Sequence, residues 1–495
     1  MKWPKICLCL TGETLKEDLA LLEKYRKYID MVELRADFLT KDEQLDIRQF
    51  PRMANIPCIL TIRRTIDGGC YEEGEARRTT LFARALAYAD SDPTKNFAYI
   101  DLEEDFDIPS LQDAALAFGT RIIRSYHCMN GTIPDIYAHM QRMRKTAFEI
   151  PKIALQPRNL DDVTDIFHQA KEIKSFDHIL CAMGAVGLPT RILANKLNSY
   201  LTYVTPIEKQ GKLGFLGHLD PISINEIYNF RAVDDNTCLF GVAGWPLEGT
   251  SNPVIHNSWY RLYGMNALYI PVRAQSVEEA SRFATEVGME GIGIESPFKE
   301  DVMHTLPQVS ATAGEIGACN TIIRCGSSWC GFNTEAYAFK RSLLDFVGGK
   351  SLARRKVAII GTCGTAHAVA NVVRLLRGKA CIFNRTLSKA RQIAEFYNFR
   401  YAQLGVESID LLEEYSDIII QTTTVGTDGE SNPIDYYEFQ GHENVFELIY
   451  YPAKTPLMRI AEKAGCRTQN GRMMLEYQAE KQFALFTGLD INSEK

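Results

Sequence analysis

Met31-Val32-Glu33-Leu34-Arg35-Ala36-Asp37 reads as a β-strand in which period-2 alternation puts Glu33 and Arg35 on one face. Similar short β-rich runs recur at 5–10, 58–63, 97–103, 121–127, 152–157, 178–184 and 201–205. Their spacing, roughly 20 to 35 residues, is that of successive βα units. Amphipathic helical patterns such as 15–28 and 76–89 lie between them. Eight parallel strands with helical crossovers predict a closed (β/α)8 TIM barrel, for which about 230 residues is ordinary.

Polar groups interrupt these runs where a barrel strand is otherwise apolar. Arg63 ends the third run, and Asp101 and Glu103 share a face of the fourth. His127 closes the fifth, Lys152 opens the sixth and Arg191 follows the seventh. Unpaired buried charge is costly, so this many charged groups in one core imply a shared purpose. Converging at the C-terminal mouth, they would form a site for an anionic substrate. Alone, a His at a strand end is often a satisfied structural group, and an Arg after a strand is often a surface ion pair. Lys152 is harder to explain that way. It follows Pro151 and precedes Ile153-Ala154-Leu155, within a buried strand where lysine is almost never unpaired. Desolvation and neighbouring arginines are expected to favour its neutral form, a nucleophile toward a ketone.

Val32-Glu33-Leu34-Arg35-Ala36-Asp37, Thr61-Ile62-Arg63 with Asp67-Gly68-Gly69, Ser125-Tyr126-His127 and Ile150-Pro151-Lys152-Ile153-Ala154 resemble type I 3-dehydroquinate dehydratases in order and spacing, over roughly residues 5–230. The resemblance implies that Lys152 is the Schiff-base lysine and His127 the proton-shuttling base. It implies that Glu33, Arg35, Arg63 and Arg191 hold the substrate's carboxylate and hydroxyls, and Asp101 is expected to orient His127. The family's closing Pro-Gly-Gln is replaced by Gly214-Phe215-Leu216-Gly217-His218, with His218 in the glutamine's place.

After the polar stretch Asp234-Asp235-Asn236, read as a linker, a new strand starts at Cys238. Further on, Lys356-Val357-Ala358-Ile359-Ile360 leads into Gly361-Thr362-Cys363-Gly364-Thr365-Ala366 and an apolar helix. This is the strand–turn–helix context in which a glycine turn receives a pyrophosphate. By itself the loop is an ordinary βα turn, since Cys363 replaces one expected glycine. The next strand ends in Asn384-Arg385-Thr386 with Lys389 one turn later. NAD-selective domains place an acid there, whereas arginine and lysine suit a 2′-phosphate, hence NADP. The alternative is a plain helix start capped by Thr386.

The second half also contains Phe240-Gly241-Val242-Ala243-Gly244-Trp245-Pro246, Pro253 with His256-Asn257, Ser296-Pro297-Phe298-Lys299-Glu300, Gly317-Ala318-Cys319-Asn320-Thr321 and Gly331-Phe332-Asn333-Thr334-Glu335. Tyr451-Pro452 with Thr455 and Gly471-Arg472-Met473-Met474-Leu475 with Gln478 complete a series that resembles shikimate dehydrogenases over roughly 238–488. The resemblance implies Lys299 and Glu335 as the catalytic pair, and Thr250, Asn252, Asn320 and Gln478 as substrate-binding residues. It implies Gly361, Gly364, Thr365, Asn384, Arg385, Thr386 and Lys389 as NADP-binding residues. Glu335 stands where the family has aspartate, Thr250 and Asn252 replace a serine pair, and Gly293-Ile294-Glu295 replaces Asn-Val-Thr.

The expected organisation is α/β throughout. A barrel at 1–232 is followed by a substrate-binding domain at 238–340, completed by 470–495, and a Rossmann-like NADP domain at 341–469. The two resemblances imply consecutive reactions, dehydration of 3-dehydroquinate to 3-dehydroshikimate and NADPH-dependent reduction to shikimate. The alternative is an active dehydratase joined to a half that uses another substrate such as quinate, or that only binds ligand as a sensor.

Composition agrees with folded small-molecule chemistry. The 495 residues are 46% hydrophobic and 24% charged, and the net charge of −7 argues against nucleic acid as main partner. No stretch approaches a membrane span, and the apolar run 6–10 is shorter than a signal h-region, so a cytoplasmic protein is expected. The 13 cysteines sit mostly in apolar runs as free thiols, and Cys7-x-Cys9 lacks a second ligand pair, so no metal is expected.

Overall fold

The computed structural model describes residues 3–87, 90–212, 214–247 and 250–489. Its first eight strands are β1 (Lys5–Leu10), β2 (Met31–Arg35), β3 (Cys58–Thr61), β4 (Tyr99–Glu103), β5 (Arg121–Cys128), β6 (Ile150–Leu155), β7 (Ile179–Ala182) and β8 (Leu201–Val204). They run parallel in the order β7-β6-β5-β4-β3-β2-β1-β8, and a parallel bridge from His178 to Ser199 brings the two ends together into a nearly closed barrel. Strand ends shift by a few residues from the sequence pattern. β6 starts at Ile150, paired with Ile123, so Lys152 lies within the strand instead of opening it. Arg63 lies beyond β3. The helix expected at 76–89 is Glu75–Leu86, and position 89 is outside the described residues.

Side-chain parity organises the barrel. Met31, Ile59, Tyr99, Ile123, Ile150, Ile179 and Leu201 form one buried cluster. Val32, Leu34, Leu60, Ile100 and Leu102 alternate into a second cluster with residues of the surrounding helices. Two residues further along each strand, on the parity of the first cluster, stand Glu33, Thr61, Asp101, Ser125 and Lys152. The polar layer therefore rests on an apolar plug.

The chain divides into two compact units, 1–289 and 290–495. The first unit also holds β9 (Cys238–Gly244) and β10 (Ala267–Arg273), which pair in parallel. The stretch read as a linker is a fastened turn, because Asp234 Oδ1 accepts from Asn236 N at 2.9 Å, Thr237 Oγ1 at 3.1 Å and Asn266 Nδ2 at 3.0 Å. The barrel helix Leu160–Ala170 packs on helix Val277–Val287. Phe167 meets Phe283 edge-on at 5.8 Å, Arg282 pairs with Asp161 at 2.7 Å, and Lys171 with Glu286 at 2.6 Å. That packing draws residues up to 289 into the barrel's unit, although the sequence pattern changes near 232–238. Asn257, on helix Asn252–Leu262, donates to Tyr269 O at 2.8 Å and accepts from Tyr269 N at 2.7 Å. Its amide thus supplies β10 with the partner that a further strand would give.

In the second unit, β11 (Met289–Ile294, starting at the boundary) is antiparallel to β13 (Thr321–Cys325). Strand β13 is antiparallel to β14 (Ser328–Phe332), and β14 is parallel to β12 (Gln308–Val309). A separate parallel sheet contains β15 (Lys356–Ile360), β16 (Lys379–Asn384), β17 (Arg400–Gln403), β18 (Ile418–Gln421), β19 (Asn444–Glu447) and β20 (Arg467–Gln469). Its order, β17-β16-β15-β18-β19-β20, is the doubly wound dinucleotide-binding order with the switch point between β15 and β18. Helix Arg472–Thr487 returns to pack on helix Glu335–Val347, with the Arg341 guanidinium 3.9 Å from the Tyr477 ring centroid. Among the described residues no helix is long and apolar enough to cross a membrane.

Candidate active sites

A cavity in the barrel is lined by Glu33, Arg35, Arg63, His127, Lys152, Arg191 and His218 among others. Lys152 Nζ donates to Asp101 Oδ2 at 2.8 Å and lies 3.7 Å from Glu33 Oε1, so two carboxylates face the amine where arginines were expected. Asp101 also meets Arg63 Nη2 at 3.0 Å and accepts from Ser125 Oγ at 2.6 Å. Burial works against its charge, but Lys152 and then Arg63 hold the Asp101 carboxyl well below the usual range. Glu33 is fixed by donation from Thr61 Oγ1 at 2.8 Å and Cys9 Sγ at 3.2 Å.

The half-buried His127 contacts Arg63 Nη1 through both ring nitrogens, Nδ1 at 2.8 Å. Burial, then the Arg63 and Lys152 charges, push its pKa well below the ordinary imidazole value. The ring is therefore neutral, and the lone pair that would accept a proton faces the Arg63 guanidinium. The expected pairing of Asp101 with His127 is corrected, because the carboxylate goes to the two cations and the serine while Arg63 holds the imidazole. Glu103, read from its strand face as part of the charged set, accepts from Arg78 Nη2 at 2.7 Å instead.

Arg35 is aligned by a two-bond clasp to Asp37, at 2.9 and 2.8 Å. Arg191 donates to Ala182 O at 3.1 Å and Leu216 O at 3.0 Å, while its buried Nη1 has no hydrogen-bond partner among the described residues. An unpaired guanidinium N–H at this mouth is what an anionic ligand would satisfy. His218 stacks on Tyr203 at 5.9 Å and shares a hydrogen bond with Thr205 Oγ1 at 2.9 Å. Burial, then Arg191 and Arg35, hold its pKa well below the ordinary value.

In the second unit, Lys299 Nζ donates to Glu335 Oε1 at 2.5 Å and lies 3.3 Å from Glu295 Oε2. Burial pushes the amine's pKa down, but Glu295 and then Glu335 outweigh it and hold the pKa above the usual lysine value. Glu335 occupies the first turn of its helix, whose positive end favours a carboxylate. The lysine loop is tied by Cys319 N to Lys299 O at 2.7 Å and Ile294 N to Asn320 O at 2.8 Å. Asn320 accepts from Thr334 N at 2.7 Å and donates to Thr334 Oγ1 at 2.9 Å, fixing the turn before Glu335.

The glycine turn adjoins this pair. Thr365 Oγ1 donates to Glu335 Oε1 at 3.4 Å, and a Cβ built on Gly364 would fall 3.7 Å from Lys299 Cδ. Gly361 has φ +106°, and a Cβ there would meet Thr422 and Thr423 at 2.6 Å, so only glycine suits the position. Asn384 Nδ2 donates to Thr386 O at 3.1 Å, while the Thr386 side chain makes no capping hydrogen bond, against the plain-cap alternative. Arg385 and Lys389 are exposed beside it, with no carboxylate paired to either among the described residues.

A family model described as type I 3-dehydroquinase matches residues 6–235, and one described as shikimate dehydrogenase substrate binding domain matches 242–322. A chloroplastic bifunctional 3-dehydroquinate dehydratase/shikimate dehydrogenase of Arabidopsis thaliana is 27% identical over 489 residues, 94% of this chain and 79% of its own. A shikimate dehydrogenase (NADP(+)) of Halothermothrix orenii is 32% identical over 269 residues, 52% of this chain and 93% of its own. The same-named protein of Thermococcus kodakarensis is 32% identical over 258 residues, 52% of this chain and 93% of its own. The chain belongs to the shikimate dehydrogenase family and joins to it a type I 3-dehydroquinase half.

The structure brings the six residues expected in the dehydroquinase half to one cavity. In the dehydrogenase half it brings Lys299, Glu335, Gly364 and Thr365 together. Thr250 and Asn252 belong to the first unit, where Asn252 N donates to Thr250 Oγ1 at 3.4 Å. Gln478 is buried on the returning helix. Sequence reading missed Gln482 one turn later, which donates to Thr321 Oγ1 at 2.9 Å and Asn320 O at 3.3 Å. It also missed Tyr203, whose ring lies 4.5 Å from Lys152 Nζ. Strand parity from Leu201 would have pointed to Tyr203.

Proposed function

We propose that the barrel converts 3-dehydroquinate to 3-dehydroshikimate through an imine on Lys152, and that the second half reduces that product to shikimate with NADPH. One observation carries the reading. Each half buries a lysine amine against a carboxylate, Lys152 on Asp101 at 2.8 Å and Lys299 on Glu335 at 2.5 Å.

In the barrel, Asp101 orients Lys152 through their 2.8 Å hydrogen bond as the amine attacks the substrate's ketone. The iminium that forms acidifies the adjacent C–H, and neutral His127 removes that proton and returns one to the departing hydroxyl. Arg191 Nη1, with Arg35 and Arg63, suits the substrate carboxylate, and Glu33 suits a hydroxyl. His127→Ala should therefore keep the imine, trapped by borohydride as added mass on the peptide containing Lys152. It should lose turnover by about 10²-fold or more. A variant that turns over normally would remove His127 from the mechanism.

In the second half, the turn 361–365 and the exposed Arg385 and Lys389 fit a phosphorylated dinucleotide. When bound, NADPH supplies hydride. Lys299 then stabilises the charge developing on the carbonyl oxygen and gives it a proton, with Glu335 holding the ammonium in place. In this unit, Asn320 and Gln478 are proposed as substrate contacts. Fluorescence titration should show tighter binding of NADP than NAD, and Arg385→Ala should narrow the gap mainly by weakening NADP. Equal affinities in the parent protein would count against the 2′-phosphate assignment. A cytoplasmic setting is part of the same reading, supported by the 13 free thiols, eight of them buried.

A further inference from the structure

Of the two carboxylates on Lys299, the less buried is not the one its family resemblance points to. The side chains of Lys299 and Glu335 are 6% and 5% exposed, whereas that of Glu295 is 33% exposed. Glu295 follows directly on β11, and Phe298 N donates to its carbonyl at 3.1 Å. This turn sets the Glu295 carboxylate 3.3 Å from the amine four residues on. The titratable groups acting on Lys299 are Glu295, Glu335 and the Cys363 thiol of the glycine turn.

Reduction of a carbonyl consumes a proton as well as a hydride. If Lys299 gives that proton, a buried amine must be recharged once per turnover, and its closest partner is as sealed from water as it is. We propose that Glu295 carries the proton between solvent and Lys299, which rests on the reading of this half as a reductase. As the product O–H forms, one N–H bond of the ammonium breaks and its electron pair stays on Nζ. The Glu295 carboxylate then takes a proton from hydronium or a buffer acid and hands it to that pair, its new O–H bond breaking as the N–H bond re-forms. Alcohol oxidation runs the same steps in reverse. Glu295 is a positioning residue, acting through Lys299 without touching substrate.

Glu295→Gln keeps the shape and cannot pass a proton. In the full chain, kcat for 3-dehydroshikimate reduction should fall about tenfold or more, with KM and NADPH affinity little changed. Added acetate or imidazole should raise kcat toward the parent value, because a small diffusible acid takes over the relay. Glu295→Asp should retain more activity than Glu295→Gln. In the ligand-free protein, acylation of Lys299 by an amine-selective reagent, read by peptide mass spectrometry, should begin at lower pH in Glu295→Gln, since one stabilising carboxylate is gone. An unchanged kcat, or a loss indifferent to buffer acid, would overturn the relay alone. A parent protein that reduces no such substrate would overturn the reductase reading and the relay with it.

Discussion

Lys152→Ala is expected to abolish dehydration of 3-dehydroquinate, with a loss on the order of 10⁴-fold or more, because the step that makes the C–H acidic has no substitute in the cavity. Lys152 is the amine at the centre of the polar layer, contacting Asp101 and Glu33 and lying under Tyr203. Its removal does not leave Asp101 unpaired, since Arg63 Nη2 remains 3.0 Å away and Ser125 still donates. The fold should therefore survive, which retained reduction of 3-dehydroshikimate by the other half would verify. Borohydride with 3-dehydroquinate should add substrate mass to Lys152 in the parent protein and to nothing in the variant. Labelling that persists in Lys152→Ala would assign the imine elsewhere.

Lys299→Ala should remove reduction by about 10²- to 10⁴-fold while leaving dehydration unchanged. Its two carboxylates keep Lys299 an ammonium at neutral pH, the form that donates the proton and stabilises oxyanion charge. NADPH binding, followed by its fluorescence, should persist, because the proposed phosphate contacts lie on the glycine turn and on 384–389. Glu335→Asp tests the pairing distance. The 2.5 Å contact uses the full glutamate side chain, and shortening it withdraws the carboxylate by about 1.5 Å. A fall in kcat is expected, whereas a rise would show that the observed contact is not the working geometry.

What the sequence made legible was whatever depends on strand period. Glu33, Asp101, Ser125 and Lys152 share the inward parity of the apolar cluster beneath them, so their common layer follows from alternation alone. Which charges pair within that layer is not periodic. Asp101 goes to Lys152 and Arg63 because the barrel brings β4, β6 and the residues just after β3 within reach, and Glu103 goes to Arg78 from a helix. Packing between distant helices is no more periodic. The contact of Phe167 with Phe283 joins residues up to 289 to the barrel's unit, between helices far apart in sequence that no periodicity links. Asp234 reads as a linker residue because the partner that fastens it, Asn266, comes one strand and one helix later.

Both reactions can be followed together by incubating the purified chain with 3-dehydroquinate and NADPH. Shikimate should accumulate as NADPH is oxidised in equal amount, and Lys152→Ala and Lys299→Ala should each stop the sequence at a different compound. Accumulation of 3-dehydroshikimate with NADPH left intact would contradict the proposed function.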